Sequence, residues 1–308
     1  MPQETTPEAT EAVLVITAEL MAQYMKEKSD KIKDQNLSPS ALSDESVTGY
    51  ATDHEPKYDG AHEIKEVVDI LRATDIPCCL VGESALIYYG AGRVRNDWHI
   101  CVPTDKLPEA TSLFQQKPSQ FESFRPSALA STNRLDHLYP RFKAVGLRLF
   151  FVLLPGTACH LEPSPTFENV EFSSMGLPYP SLPTYTQSLL DGKLGTDLDD
   201  LVDGMDLNLE WGEENLDLEG TVDSNWVWWR HFAMSKTNND TEQEDGVDQK
   251  KQRPPWYLNP DKRRDIWIKT VSPDAKKNRQ GWKYKAGYET RFRRFQSQDP
   301  RLQSRDYC

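Results

Sequence analysis

The sequence predicts an α/β fold of the α+β kind: a mixed sheet with flanking helices, preceded by a helical N-terminal arm and followed by an irregular basic C-terminal region. Three observations predict it. In AHEIKEVVDILRAT the apolar residues Ile64, Val67, Val68 and Leu71 recur at helical spacing, one stripe facing a core. The short apolar runs IPCCLV and WHICVP are bounded by turn residues, as buried strands are, and LRLFFVLLP is apolar enough to lie mid-sheet. Helix and strand alternate before strands cluster, an order that lays helices on the faces of a sheet.

Residues 1–59 form the first division. Thr6-Pro7-Glu8 supplies a capping hydroxyl, a proline for the first helical position and an acid, and Val13, Ile16, Leu20 and Tyr24 follow at helical spacing. A helix is expected from residue 7 to about 34, then a polar linker over 35–59.

Residues 60–220 are expected to form the compact domain. After the first helix and IPCCLV, ESALIYYGA reads as a short helix and WHICVP as the second strand. TDKLPEATSLFQQ is a core-facing helix with Thr104 or Asp105 as its cap. FESFRP, PRFKAV and LRLFFVLLP supply three further strands. From His160 to Pro183 the chain is proline-rich and reads as irregular, and TYTQSLLDGKLGTDLDDLVDGMDLNLEWGEENL as one or two helices.

Residues 221–308 hold a Trp-rich segment (SNWVWWRHF), a disordered linker at 236–252 and a basic tail.

The net charge of −12 is unevenly spread. Residues 1–249 carry 19 Lys/Arg against 42 Asp/Glu, and residues 250–308 carry 17 against 6. Between Thr196 and Trp229 there are eleven acidic residues and no basic one. The favoured expectation is that the acidic helices and the tail screen each other within the chain. The alternative is nucleic-acid binding through residues 250–305, with Trp256, Tyr257, Trp267, Trp282 and Tyr284 stacking on bases.

No run reaches the roughly 18 apolar residues of a membrane span, so no membrane partner is expected. The acidic start carries the wrong charge for a secretory signal. Cys78, Cys79, Cys101, Cys159 and Cys308 are odd in number, and three of them lie inside apolar runs. They read as reduced core thiols, which implies an intracellular protein of cytoplasm or nucleus.

The chemistry-bearing stretch is VGESALIYYGAGRVRNDWHICV, residues 81–102. A dinucleotide fingerprint fails because Arg95 stands where Gly90-Ala91-Gly92 requires a further glycine. A hydrolase elbow fails because Leu86 stands where Gly82-Glu83-Ser84 requires one, and nothing frames His137 or His160 as its base. His62-Glu63-Ile64-Lys65-Glu66 lacks the second histidine of a zinc-protease helix.

What the stretch resembles is the nucleotidyltransferase superfamily with the polymerase-beta-like fold. The order matches: strand IPCCLV, turn Gly82-Glu83-Ser84 opening a helix, twelve intervening residues, then Asp97-Trp98-His99-Ile100. Arg93 is similar to a basic residue of the small antitoxin-paired branch, and Asp197-x-Asp199-Asp200-Leu201 to its acidic helix. As a whole the stretch resembles a group of fungal nucleotidyltransferase-like proteins, over roughly residues 60–216.

The resemblance implies a nucleotidyltransferase-like core with a nucleotide at Gly82, Ser84 and Arg93. It implies catalysis by Asp97 and His99, with magnesium or manganese held by those two and by Glu122 as the strand-borne third ligand. The departures point the other way. His99 replaces a carboxylate with a nitrogen that suits magnesium poorly. Glu83 puts negative charge where phosphates would lie, and LRLFFVLLP carries no acid. Each residue also has a plainer role open to it: Ser84 as a helix cap, Arg93 in a salt bridge, Asp97 paired with Arg93 or Arg95, His99 hydrogen-bonded beside the sheet. His137 and Tyr139 could join the same pocket. The expectation is a nucleotidyltransferase-fold protein that is catalytically degenerate and acts as a binding or regulatory module. The alternatives are an active metal-dependent transferase using Asp97 and His99, or nucleic-acid binding through the tail.

Overall fold

The computed structural model describes residues 60–124, 135–237, 259–281 and 299–302. The expected arm, the 35–59 linker, Trp256, Tyr257, Trp282, Tyr284 and Cys308 lie outside the described residues.

Helix α1 (Ala61–Arg72) buries Ala61, Ile64, Val67, Val68 and Leu71, the stripe its spacing predicts. Strand β1 (Cys79–Val81) turns through Gly82 into α2 (Glu83–Tyr88), and β2 (Trp98–Val102) follows. A 3-10 turn, Thr104–Lys106, leads into α3 (Leu107–Gln115). The cap expected at Thr104 or Asp105 does not form. The Thr104 hydroxyl instead donates to Glu162 Oε1 at 2.6 Å and accepts from the Thr157 amide at 3.0 Å, tying this turn to a distant part of the chain.

Strands β3 (Phe121–Ser123), β4 (Arg141–Ala144) and β5 (Phe150–Pro155) complete a mixed five-stranded sheet in the order β1-β2-β5-β4-β3. Only β2 and β5 pair in parallel; the other neighbours are antiparallel. The most apolar strand therefore lies mid-sheet, as its composition predicts. Residues paired across strands share a face. Leu80, Ile100 and Leu153 line one face, which also carries Phe142 and Phe151. Against those rings packs Phe114 of α3, with centroids 5.6 and 5.0 Å away. Val81, His99, Val152 and Arg141 line the opposite face. That second face carries the charged residues discussed below.

The passage from His160 to Pro183 is more ordered than predicted. After the short α4 (Gly156–Cys159) it contains an antiparallel pair, β6 (Val170–Phe172) and β7 (Pro178–Pro180). Tyr179 of β7 stacks on Tyr88 at 4.2 Å, and the Tyr89 hydroxyl donates to Pro180 O at 2.6 Å. Pairing here is held by aromatic packing against α2, a tertiary contact that local composition does not announce.

Three helices follow where one or two were expected: α5 (Leu182–Asp191), α6 (Gly195–Met205) and α7 (Leu209–Asn215). The breaks are local. Lys193 and Asp206 adopt left-handed conformations (φ 50 and 53), and Asn208 caps α7 by accepting from the Trp211 amide at 2.9 Å. The Trp-rich segment lies in α8 (Ser224–Thr237), where Asp223 accepts from the Trp226 amide at 3.0 Å; the first two residues of the expected 236–252 linker are thus helical.

Residue 220 is not a break in the packing. Helices α9 (Arg263–Val271) and α10 (Pro273–Gly281) return to the body, and Trp267 is 0% exposed within the same apolar core. Trp267 is therefore not available for stacking on a base. Among the described residues, several of the tail's basic groups meet the acidic segment within the chain. Arg263 reaches Asp217 at 2.7 Å, Arg264 reaches Glu213 at 3.0 Å, and Lys276 reaches Asp206 at 3.0 Å. Arg279 holds both oxygens of the fully buried Asp203, each at 2.9 Å, and Asp199 at 3.0 Å. Cys78, Cys79 and Cys101 are buried free thiols, as their apolar setting predicts.

Gly212 lets this docking occur, because a Cβ there would stand 2.0 Å from the Trp267 indole nitrogen. Gly212→Ala is expected to lower stability by about 1–3 kcal/mol through overpacking, outweighing the roughly 1 kcal/mol that alanine offers a helix. Urea unfolding followed by tryptophan fluorescence measures it.

Candidate functional site

The charged face of the sheet is organised around His99. The imidazole is 3% exposed, on interior strand β2. Its Nε2 lies 3.2 Å from Asp136 Oδ2, in a 3-10 turn (Asp136–Leu138) just before β4. Its Nδ1 lies 3.2 Å from Glu83 Oε2, the first residue of α2, at ion-pair distance but outside hydrogen-bond geometry. A neutral imidazole would set a bare nitrogen lone pair against one of these carboxylates, so the arrangement calls for the doubly protonated cation.

The surrounding charges favour the same form. Burial works against the His99 charge, but Asp136 and Glu83 outweigh it and raise its pKa well above the ordinary 6.5. Burial would likewise push Glu83 up, yet His99 holds it down at about 2.

Gly82 belongs to this arrangement. Its backbone (φ 63, ψ −139) excludes side chains, and a Cβ would meet His99 Nδ1 at 2.9 Å. Its carbonyl accepts from the Tyr185 hydroxyl at 3.0 Å. The glycine that the turn motif requires thus lets the histidine ring lie against the backbone. Ser84 is 1% exposed and caps nothing; its hydroxyl has no partner, and neither does the buried hydroxyl of Tyr139.

Asp97 pairs with neither Arg93 nor Arg95. Arg141, reaching across from β4, donates from Nε to Oδ2 at 2.8 Å and from Nη2 to Oδ1 at 2.9 Å. The two side chains are 15% and 9% exposed, and the guanidinium lies 4.4 Å from the Phe150 ring centroid. Arg95 lies over the Trp98 ring at 3.4 Å. Arg93 spans the acidic helix, with Asp197 at 2.7 Å and Asp200 at 2.5 Å. Burial pushes Asp197 up even so.

The structure therefore brings Gly82, Glu83 and His99 together and adds Asp136, which sequence reasoning missed. It leaves Glu122 apart. That residue sits exposed on edge strand β3, three strands from β2 and so about 14 Å away at ordinary strand spacing. His137 is half-buried beside Asp136. His160 faces Asp223 at 3.9 Å and the Trp226 ring, and burial lowers its pKa. Asp136 and Arg141 carried weak signals: an acid set in the apolar LDHLYP, and a basic residue alternating inward on PRFKAV.

A divalent metal does not fit these residues. Both His99 nitrogens face carboxylates, both Asp97 oxygens accept from Arg141, and Glu122 is remote. Among the described residues no three His, Cys, Asp or Glu side chains converge to hold one. No family model and no curated protein matches the chain. Among the described residues no helix is long and apolar enough to cross a membrane.

Two outcomes follow from this geometry. Stability contributed by His99 is complete below its unfolded value of 6.5 and is lost as pH rises through its raised folded value. Glu83 contributes stability above its ordinary 4.5, lost as pH falls toward about 2. Unfolding free energies of wild type minus His99→Asn should therefore be steady between pH 4.5 and 6.5, decline as pH rises above 6.5, and fall again as pH drops below 4.5. For the second pair, Arg141→Ala is expected to cost about 3–5 kcal/mol by leaving Asp97 buried without a counter-charge. Asp97→Ala combined with it should cost less than the sum of the single changes, a coupling that a double-mutant cycle reads directly.

Proposed function

We propose that this protein is a nucleotidyltransferase-like protein whose transfer chemistry is lost and which acts as a binding or regulatory module for a nucleotide. The resemblance of residues 81–102 supplies the class, and the mixed sheet with flanking helices is compatible with it. One observation carries the degenerate reading: neither acid position of the motif offers a free carboxylate. Asp97 is held by Arg141, and His99 stands between Glu83 and Asp136. Two-metal transfer needs carboxylates open to the metal, and this centre offers none.

Residues assigned to a nucleotide by resemblance are Gly82, Ser84 and Arg93. Of these, Ser84 retains an unpartnered hydroxyl, while Arg93 is engaged by Asp197 and Asp200. No observation favours the active transferase with magnesium or manganese on Asp97 and His99. The nucleic-acid reading is weakened because Arg263, Arg264, Lys276 and Arg279 are paired in cis. An intracellular setting, cytoplasm or nucleus, is part of the proposal and draws support from the buried free thiols.

The full chain incubated with labelled ATP or CTP, magnesium or manganese, and RNA or protein acceptors is expected to transfer no label. Transfer that disappears in Asp97→Ala would overturn the reading. The same nucleotides should raise the melting temperature, since a ligand held only by the folded state stabilises it.

A further inference from the structure

We propose that the surface where the end of α2 meets α6 and β6 is a recognition site for a protein segment of Asp-Pro-Arg chemistry. Residues 299–301 of the chain itself are its resident, exchangeable ligand. The proposal is independent of the nucleotide reading above. After residues 282–298 the tail meets the body here in a single 3-10 turn, Pro300–Leu302. Pro300 is buried, and Asp299 and Arg301 are half-buried.

The floor of the site is built without the tail. Gly90 (φ 98) closes α2, its amide donating to Ile87 O at 3.0 Å and the next amide, of Ala91, to Leu86 O at 2.8 Å. Gly204 of α6 approaches so closely that a Cβ on it would stand 2.5 Å from Tyr89 O. Against this floor lies the Pro300 ring: a Cβ on Gly90 would meet its Cγ at 2.9 Å. Beside it, Glu171 of β6 accepts from Arg301 Nη1, with its two oxygens at 3.4 and 3.3 Å. The surface therefore selects a proline ring by shape and a cation by charge.

The ligand is organised within itself. Asp299 accepts from the Arg301 amide and Nε, each at 3.0 Å, and from Nη2 at 2.6 Å, which leaves Nη1 for Glu171. These bonds span two residues, so a free peptide of the same sequence can form them. The attachment itself is slight. One proline is buried, and the Arg301–Glu171 side chains are 32% and 25% exposed, where an ion pair contributes little. Covalent attachment keeps the segment in place by raising its local concentration. A partner protein presenting the same chemistry competes for the site.

The probe is a fluorescein-labelled peptide of residues 296–305, QSQDPRLQSR, followed by anisotropy with full-length proteins. Pro300→Ala combined with Arg301→Ala vacates the site. This release variant should bind the peptide at least about tenfold more tightly than wild type, whose own tail competes. A peptide carrying Arg301→Glu should bind it about tenfold more weakly or worse, and should recover when Glu171→Arg is added to the release variant. The proposal is overturned if the release variant binds no peptide up to about 1 mM, or binds it no better than wild type does. Equal binding of the native and Arg301→Glu peptides overturns it too. So does loss of cooperative urea unfolding in the release variant, because the tail would then be an integral part of the fold.

Discussion

A charge removed from water on the face of this sheet has to meet an opposite charge, and the neighbouring structure follows from that requirement. The His99 imidazolium is buried on β2, where an unpaired charge would be intolerable. Two carboxylates answer it from two directions, Glu83 from the helix after β1 and Asp136 from the turn before β4. Gly82 must then be glycine so that the ring can lie against the turn. One interaction thus fixes the entry of α2, the approach to β4 and the conformation between β1 and α2.

The same rule operates at the acidic helix. Asp200 and Asp203 of α6 are buried, at 2% and 0% exposure, and each meets an arginine from a distant part of the chain. Arg93 comes from the loop before β2 and Arg279 from α10. The acidic run and the basic tail are therefore two halves of one closure. Trp267 inserted beside Gly212 supplies its apolar part. Charged pairing gives this interface its register, and the tryptophan gives it its burial.

These contacts give the family resemblance a particular meaning. A turn with glycine, a serine after it and an aspartate thirteen positions beyond that serine are the features on which the resemblance rests. Here the same residues face inward. Glu83 does not sit where phosphate would lie but turns toward His99, and Asp97 presents its oxygens to a guanidinium that occupies both.

Much of this was legible in the sequence. The stripe of α1, the strand character of IPCCLV, WHICVP and LRLFFVLLP, and the mid-sheet place of the last follow from periodicity and apolarity. Those are properties of neighbours along the chain, and they hold whatever the partner. Asp136, Arg141 and Trp267 were not legible as partners, because each acts across 37 to 56 residues: Asp136 on His99, Arg141 on Asp97, Trp267 on Trp211. The β6–β7 pair was hidden for the same reason, since it depends on Tyr179 stacking against Tyr88. The sequence by itself determined the elements and the identities of the ionisable groups. Only the tertiary structure decided which charges neutralise which, because a buried ion pair is chosen by distance in space and by the absence of water, and neither is written locally in the chain.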